Sequence, residues 1–249
     1  MDLPIFPPAP LPSTSEASPD AAYAAFQRME RDGASGREIL GRAVAGPLRQ
    51  RLAVVSSFGA ESAVLLSLVA ELDPAVPVIF LQTGKHFPET LSYRARLAAH
   101  LGLTDVRDVS PPWQALQEQD PDGELWHYDQ DACCDLRKVG PLEQALAPFE
   151  AWISGRKRFQ ARTRSKLPFV EREGGRLKLN PLADWDAARI GQELARRALP
   201  RHPLLDRGFP SVGCAVCTRP VVAGEDGRAG RWSSSRKVEC GIHNVSQLA

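Results

Sequence analysis

The sequence predicts an α/β domain, a mostly parallel sheet with helices on both faces. Three observations predict it. The apolar runs Leu52-Ala53-Val54-Val55 and residues 76–81 have the length and composition of strands buried on both faces. Longer segments of helical period alternate with them. Small-residue turns, Ser56-Ser57-Phe58-Gly59-Ala60 and Thr83-Gly84, follow the two strands. Right-handed crossovers then bring the loops after the strands to one edge, where such sheets bind ligands.

Residues 1–18 are rich in Pro, Ser and Ala without periodicity and read as a disordered tail. Pro19-Asp20 opens a helix over 19–31. Gly33-Ala34-Ser35-Gly36 breaks the pattern, and a second helix runs to 48. A strand over 51–57 and a helix over 61–72 follow. A second strand (76–81), a helix (88–101) and a third strand (106–109) complete the alternation. Residues 111–131 read as irregular and polar. A helix over 134–146, a short strand over 151–154 and a helix over 185–198 come next. From Pro200 onward Gly, Pro and Cys dominate and regular structure thins out. No internal repeat is present. The chain thus divides into the tail 1–18, an α/β domain over 19–220, and a C-terminal segment over 221–249 expected to be mobile.

Hydrophobic residues make up 43% and charged residues 24% of the 249, the balance of a globular chain. The net charge is +1, so no global excess of positive charge points to nucleic acid or a membrane, and any anion site must be built locally. Met1-Asp2-Leu3-Pro4 lacks the basic start of a secretory signal. The longest apolar run, 63–70, is far short of the ~20 residues that cross a bilayer. The expected location is cytoplasmic. Five cysteines, an odd number, argue against a disulfide framework in that compartment; four metal ligands and one reactive thiol fit better.

Five motifs carry chemistry. The turn Ser56 to Ser62 leaves backbone N–H groups at a helix N-terminus, a setting that suits phosphate, but it lacks the Gly-Lys-Ser/Thr of kinase and ATPase loops. Leu81-Gln82-Thr83-Gly84-Lys85 emerges beside it at the same edge of the sheet. Cys133-Cys134 and Cys214-Ala215-Val216-Cys217 form two close pairs, a four-thiolate set that suits zinc or an iron–sulfur cluster. Adjacent cysteines on a helix point about 100° apart. That spread is awkward for one small ion and easier for a cube of four irons. Arg137 and Lys138 follow them by one turn.

The fourth motif is Arg156 to Lys166, six cations in eleven residues without an acid. It reads as a solvated loop, a nucleic-acid patch, or an anion-binding loop whose guanidinium groups grip phosphate and sulfate oxygens. The last is Cys240, among small and basic neighbours near the chain end, with Arg228, Arg231 and His243 as the cations that would favour its thiolate.

Read together these motifs resemble the assimilatory adenosine 5′-phosphosulfate reductases of the iron–sulfur type, within the wider sulfonucleotide reductase family. The resemblance spans about Leu52 to His243. It is carried by Ser57-Phe58-Gly59-Ala60-Glu61, Thr83-Gly84-Lys85, Cys133-Cys134 with Arg137-Lys138, Trp152-Ile153-Ser154-Gly155 and Thr163-Arg164. Asn180 to Trp185, Gly213 to Arg219, Arg228-Ala229-Gly230-Arg231-Trp232 and Glu239-Cys240-Gly241-Ile242-His243 complete it.

The resemblance implies an adenine nucleotide α-hydrolase-like fold, one 4Fe-4S cluster on Cys133, Cys134, Cys214 and Cys217, and Cys240 as the nucleophile. It implies adenosine 5′-phosphosulfate as substrate, thioredoxin as reductant, and sulfite and AMP as products. The substrate-binding residues it implies are Ser57, Gly59 and Ala60 in the first loop, Thr83 and Gly84 in the second, and Lys138, Arg162, Arg164, Arg228, Arg231 and His243 around the anionic groups. Relatives that use the 3′-phosphorylated nucleotide usually lack the two cysteine pairs, so the four extra cysteines favour the substrate without that phosphate.

Two departures stand out. Gln82 replaces the usual Asp before Thr-Gly, and the basic Ser233-Ser234-Ser235-Arg236-Lys237 replaces an aromatic and acidic stretch. An ATP-using adenylating enzyme on the same sheet would leave the cysteines without a job. A metal-containing nucleic-acid regulator would bind with strong salt dependence and release no sulfite. Whether the chain forms a homo-oligomer is left open by the sequence.

Overall fold

The computed structural model describes residues 18–233, 235 and 237–243. The expected disorder of the tail therefore falls outside the described residues, apart from Ser18. Ser18 caps the first helix by accepting a hydrogen bond from Ala21 N at 3.1 Å. No helix among the described residues is long and apolar enough to cross a membrane.

Six strands form one sheet: β1 (Leu52–Val55), β2 (Val78–Leu81), β3 (Val106–Val109), β4 (Ala151–Ile153), β5 (Val170–Glu173) and β6 (Arg176–Leu179), in the order β3-β2-β1-β4-β6-β5. All neighbouring pairs run parallel except the antiparallel β5–β6 edge hairpin. That hairpin has no counterpart in the sequence reading. β5 carries three charged residues in four and β6 alternates charged with apolar ones, and Lys178 of β6 is fully buried, paired with Glu173 and lying 4.4 Å over the Trp152 ring. Charge that the tertiary structure hides makes a strand look like a surface segment. The turn is made by Gly174 and Gly175, both at positive φ.

Nine helices surround the sheet among the described residues: α1 (Pro19–Arg31), α2 (Gly36–Ala45), α3 (Ser62–Leu72), α4 (Pro88–Leu101), α5 (Trp113–Gln119), α6 (Leu125–Tyr128), α7 (Gln130–Cys134), α8 (Gly140–Leu146) and α9 (Ala187–Arg196). The second helix ends three residues earlier than expected, because Gly46-Pro47 follows. The segment 111–131, read as irregular, holds α5, α6 and the start of α7. Pro112 opens the first of these, and the Asp129 carboxylate caps the last by accepting from Asp131 N and Ala132 N at 3.0 and 2.9 Å. The helix expected over 134–146 is interrupted by a π-helical turn, Asp135–Val139, immediately after the two cysteines.

Alternation along the strands divides the core. Leu52, Val54, Val78, Phe80, Ile153 and Leu179 face α2, α3, α4 and α9. Ala53, Val55, Ile79, Leu81 and Trp152 face Leu142 and Leu146 of α8, with Ile242 of the C-terminal segment packed beside them. Helices thus cover both faces, and the C-terminal segment shares the second face with α8. β1 lies between β2 and β4, and the chain leaves β1 and β4 toward opposite sides of the sheet. A crevice opens at the carboxyl ends of β1 and β4, where doubly wound sheets bind ligands.

Candidate active site

That crevice is a cavity of about 470 Å³. Its floor is the turn after β1. Phe58 sits fully buried at positive φ (48°), its N–H donating to Ser56 Oγ at 3.2 Å and its ring edge-on to Phe80 at 5.6 Å. The buried ring anchors the turn, so the residues beyond it, Gly59, Ala60, Glu61 and Ser62, face the cavity. Helix α3 begins here without a side-chain cap and with no acid in its first turn. Its positive end therefore points into the cavity, ready for an anion.

The turn after β2 forms one wall. Gly84, at φ 70°, turns the chain, and its N–H donates to Gln82 Oε1 at 3.2 Å. The Gln82 amide oxygen thus supplies the turn bond that a carboxylate would make. Beyond it the chain pairs with the second cysteine motif. Ala215 N donates to Lys85 O at 2.7 Å, and Thr83 Oγ1 lies 3.4 Å from Cys214 Sγ. Arg137 ties the first cysteine motif to the same turn, donating to Thr83 O at 2.7 Å and, through Nε and Nη2, to the buried Asp120 carboxylate at 3.1 and 2.5 Å. Burial opposes the charge on Asp120, yet Arg137 and the Leu125 N–H hold its pKa below the usual range.

Cys133, Cys134 and Cys214 are buried and Cys217 is half-buried. The charges of Cys214 and Cys217 reach Cys133, and burial pushes the Cys133 and Cys217 thiols up. Four free thiols are the donor set of a thiolate-bound centre, and Arg137, Lys138, Arg231 and Lys237 lie within electrostatic reach of them. The π-helical turn widens the helix at the cysteine pair; such turns gather at functional sites.

Cys240 enters the cavity from the C-terminal segment. Lys138 Nζ lies 3.8 Å from its Sγ. Burial alone would depress the Lys138 pKa, but Cys240, Cys214 and Cys134 beside it hold the ammonium form well above its ordinary range. The Cys240 pKa is held well down, first by a hydrogen bond from Cys134, then by the charges of Lys138 and Arg231 against the effect of burial. The Cys134 contribution exists while Cys134 is a thiol; with Cys134 bound as a thiolate, the cations carry the effect. Arg231 is half-buried, its buried Nε without a partner among the described residues, and stacks 4.5 Å over Trp232. Arg228 stacks on the same ring at 5.7 Å, and burial followed by the neighbouring Arg164 and Arg231 lowers its pKa to about 10. His243 lies parallel to Trp152 at 6.4 Å. Its Nδ1 is buried and unpartnered among the described residues, and burial followed by Lys178 and three arginines depresses its pKa. The unpartnered Arg231 Nε–H, ringed by further cations, makes a cavity that welcomes an anion.

The structure therefore brings Ser57, Gly59, Ala60, Thr83, Lys138, Arg164, Arg228, Arg231, Cys240 and His243 to one cavity wall or another. Gly84 stands behind Thr83 and does not line it. Arg162 is exposed and faces a second, more open hollow between residues 158–165 and the C-terminal segment. The basic stretch is dispersed: Arg156 pairs with Glu171, Lys157 with Glu61 at 2.8 Å, and Arg158 donates to Leu167 O at 2.9 Å. Arg164 commits Nε and Nη2 to Glu239 at 2.7 and 2.5 Å. Cavity-lining residues that the sequence did not single out for the site include Arg156, with an unpartnered buried Nε, Trp152, Trp232 and Val212. Arg156 opened the basic stretch and both tryptophans stood inside recognised motifs; Val212 gave no signal.

Residues 51–220 match the model of the phosphoadenosine phosphosulfate reductase domain. The chain is 50% identical over 206 residues to an adenosine 5′-phosphosulfate reductase of Mesorhizobium japonicum, covering 83% of this chain and 81% of that protein. It is 41% identical over 198 residues to a phosphoadenosine 5′-phosphosulfate reductase of Gloeobacter violaceus, covering 78% and 82%. The crystal structure of phosphoadenylyl-sulfate reductase from Candida auris, a phosphate complex, superposes with a TM-score of 0.64 at 28% identity, covering 80% of this chain and 96% of that one.

Proposed function

The chain belongs to the phosphoadenosine phosphosulfate reductase family, and from that membership we propose that it reduces adenosine 5′-phosphosulfate to sulfite and AMP in sulfate assimilation. One observation carries the proposal: the Cys240 thiol lies in the cavity that the β1 turn also lines, with Lys138 Nζ 3.8 Å away. A nucleophile, an anion-binding turn and unpartnered donors share one enclosure.

The Cys240 thiolate attacks the sulfur of the substrate in line with the bridging oxygen. A sulfur–sulfur bond forms, the sulfur–oxygen bond breaks, and AMP leaves with the electron pair. S-sulfocysteine remains on Cys240. A thiolate of a dithiol donor, thioredoxin in this reading, then attacks the Cys240 sulfur and expels sulfite. Its second thiol resolves the mixed disulfide and restores Cys240. The dithiol supplies the two electrons. In the transition state, charge spreads over sulfate and phosphate oxygens, where Lys138, Arg228 and Arg231 would meet it. The α3 N-terminus and the backbone at Gly59 and Ala60 would hold the nucleotide phosphate.

Cys133, Cys134, Cys214 and Cys217 would hold one 4Fe-4S cluster. Four free thiols from two segments, flanked by cations, support it. When bound, the cluster supplies an anionic, polarisable centre beside Lys138. No electron transfer is assigned to it. With four cysteines engaged there, Cys240 has no internal disulfide partner, and an external dithiol is required.

The test is sulfite release from each sulfonucleotide with thioredoxin, alongside the visible spectrum of the purified protein. The expected result is activity with adenosine 5′-phosphosulfate and iron–sulfur absorption. In Cys240→Ser the absorption stays and the sulfo adduct disappears from the intact mass. Appreciable sulfite release by Cys240→Ser would overturn the nucleophile.

A further inference from the structure

The residue before the reacting thiol is itself built into a site. Glu239 is buried, 7% exposed. Arg164 grips its carboxylate as a fork, Nε to Oε1 at 2.7 Å and Nη2 to Oε2 at 2.5 Å. Thr163 Oγ1 donates to Oε1 at 2.9 Å, and Arg228 Nη2 lies 3.9 Å from Oε2. The receptor is in turn fixed to the cavity floor. Arg164 Nη1 donates to Gln160 Oε1 at 2.6 Å, Gln160 Nε2 donates to Glu61 Oε2 at 2.7 Å, and Lys157 Nζ closes on the same oxygen at 2.8 Å. Glu61 precedes the first turn of α3, so the C-terminal segment is tied through three side chains to the turn after β1.

The segment's other polar contacts are weaker by nature. Ser235, exposed, donates to Gln130 at 2.7 Å, and Lys237, its side chain 8% exposed, reaches out to Asp131, whose side chain is 81% exposed. Each of these contacts has a partner open to water, which screens the attraction. A buried, bidentate carboxylate–guanidinium pair is the strong form of the contact. Val238, between the two kinds of contact, is exposed and holds nothing.

We propose that Glu239 is a positioning residue: its carboxylate, seated in the Arg164 fork, latches the C-terminal segment so that Cys240 faces the cavity. Alternation of the chain puts Glu239 on the Arg164 side and Cys240 on the Lys138 side, so seating the first aims the second. Glu239 touches no reacting atom. The latch must also release, because Cys240 is half-buried, its Sγ between Lys138 and Cys134, and a dithiol donor has to reach it. The proposal rests on Cys240 being the reacting thiol.

The experiment compares Glu239→Gln with the parent, as full chains loaded with iron. Two rates are read: alkylation of Cys240 by iodoacetamide, followed by peptide mass, and amide hydrogen exchange over 237–243. Replacing the charged fork with a neutral hydrogen bond loses on the order of 1.5 kcal/mol, or about tenfold in the open fraction. Both rates are therefore expected to rise about tenfold, with kcat for sulfite release falling more than KM rises. Ser235→Ala, which cuts an exposed contact of the same segment, is expected to leave both rates unchanged. Should Glu239→Gln fail to accumulate, Arg164→Lys removes the fork but keeps the charge and carries the same expectation.

Unchanged rates in Glu239→Gln, faster alkylation without faster exchange, or equal acceleration in Ser235→Ala would each overturn the latch. Neither rate needs a substrate. Failure of both nucleotides to yield sulfite would instead sink the functional reading and leave the latch standing.

Discussion

Lys138→Met removes the ammonium group beside Cys240 and keeps the length of the side chain. Two unit charges 3.8 Å apart attract by about 4 kcal/mol at an effective dielectric constant of about 20. Not all of that is lost from the barrier. In the proposed attack the thiolate charge would move toward the sulfate and phosphate oxygens, with Arg228 and Arg231 left to meet it. Loss of a single preorganised charge of this kind lowers kcat by roughly 10²–10³, or about 3–4 kcal/mol. The expected result is a fall of that size in kcat/KM, measured as sulfite release with thioredoxin, while visible absorption shows the iron–sulfur content unchanged. The alkylation of Cys240 at neutral pH should slow in parallel, because removing a cation raises the thiol pKa and lowers the thiolate fraction. A variant with kcat/KM within about threefold of the parent and full absorption would refute the charge argument, since the electrostatic cost cannot be so small at that separation.

Two further outcomes are expected. A Cβ at Gly213 would press on the Arg231 guanidinium, so Gly213→Ala should displace that group, costing on the order of tenfold or more in kcat/KM with the thermal midpoint little changed. A large fall in Tm would place the effect on the fold instead. Buried His202 accepts from Leu204 N through Nδ1 at 3.2 Å and meets Thr90 Oγ1 through Nε2 at 3.1 Å, and burial lowers its pKa to about 4. The unfolded chain takes up that proton first, so the neutral form's contribution is complete above about pH 6.5 and is lost as pH falls toward 4. At pH 5 the loss is about 2 kcal/mol. Urea unfolding at pH 7 and pH 5 should show that difference shrinking in His202→Gln; an equal pH dependence in both proteins would remove His202 as its source.

The parallel core of the fold was legible because its strands are buried on both faces. Leu52 to Val55 and Val78 to Leu81 have no solvent-facing positions, so nothing polar interrupts them. The edge hairpin β5–β6 was not legible, since Lys178 and Glu173 neutralise each other beneath Trp152 and only the packed structure reveals that pairing. The helices of 111–131 escaped for a related reason. They are short, α6 having four residues, and brief helices are held by contacts such as Asp120 with Arg137 more than by their own propensity.

By itself the sequence determined the residue types of the site: five sulfur atoms, small-residue turns at strand ends, and cations close to the anion-binding edge. Chemistry depends on residue type, and type is written in the chain. The tertiary structure decided which cations are free to act. Arg156, Lys157, Arg158 and Arg164 read alike along the chain, yet each has an internal partner, while Lys138 from a π-helical turn and Arg231 over Trp232 stand beside Cys240. The physical reason is that charge pairing acts over a few ångströms in space, between residues as far apart in sequence as Arg164 and Glu239.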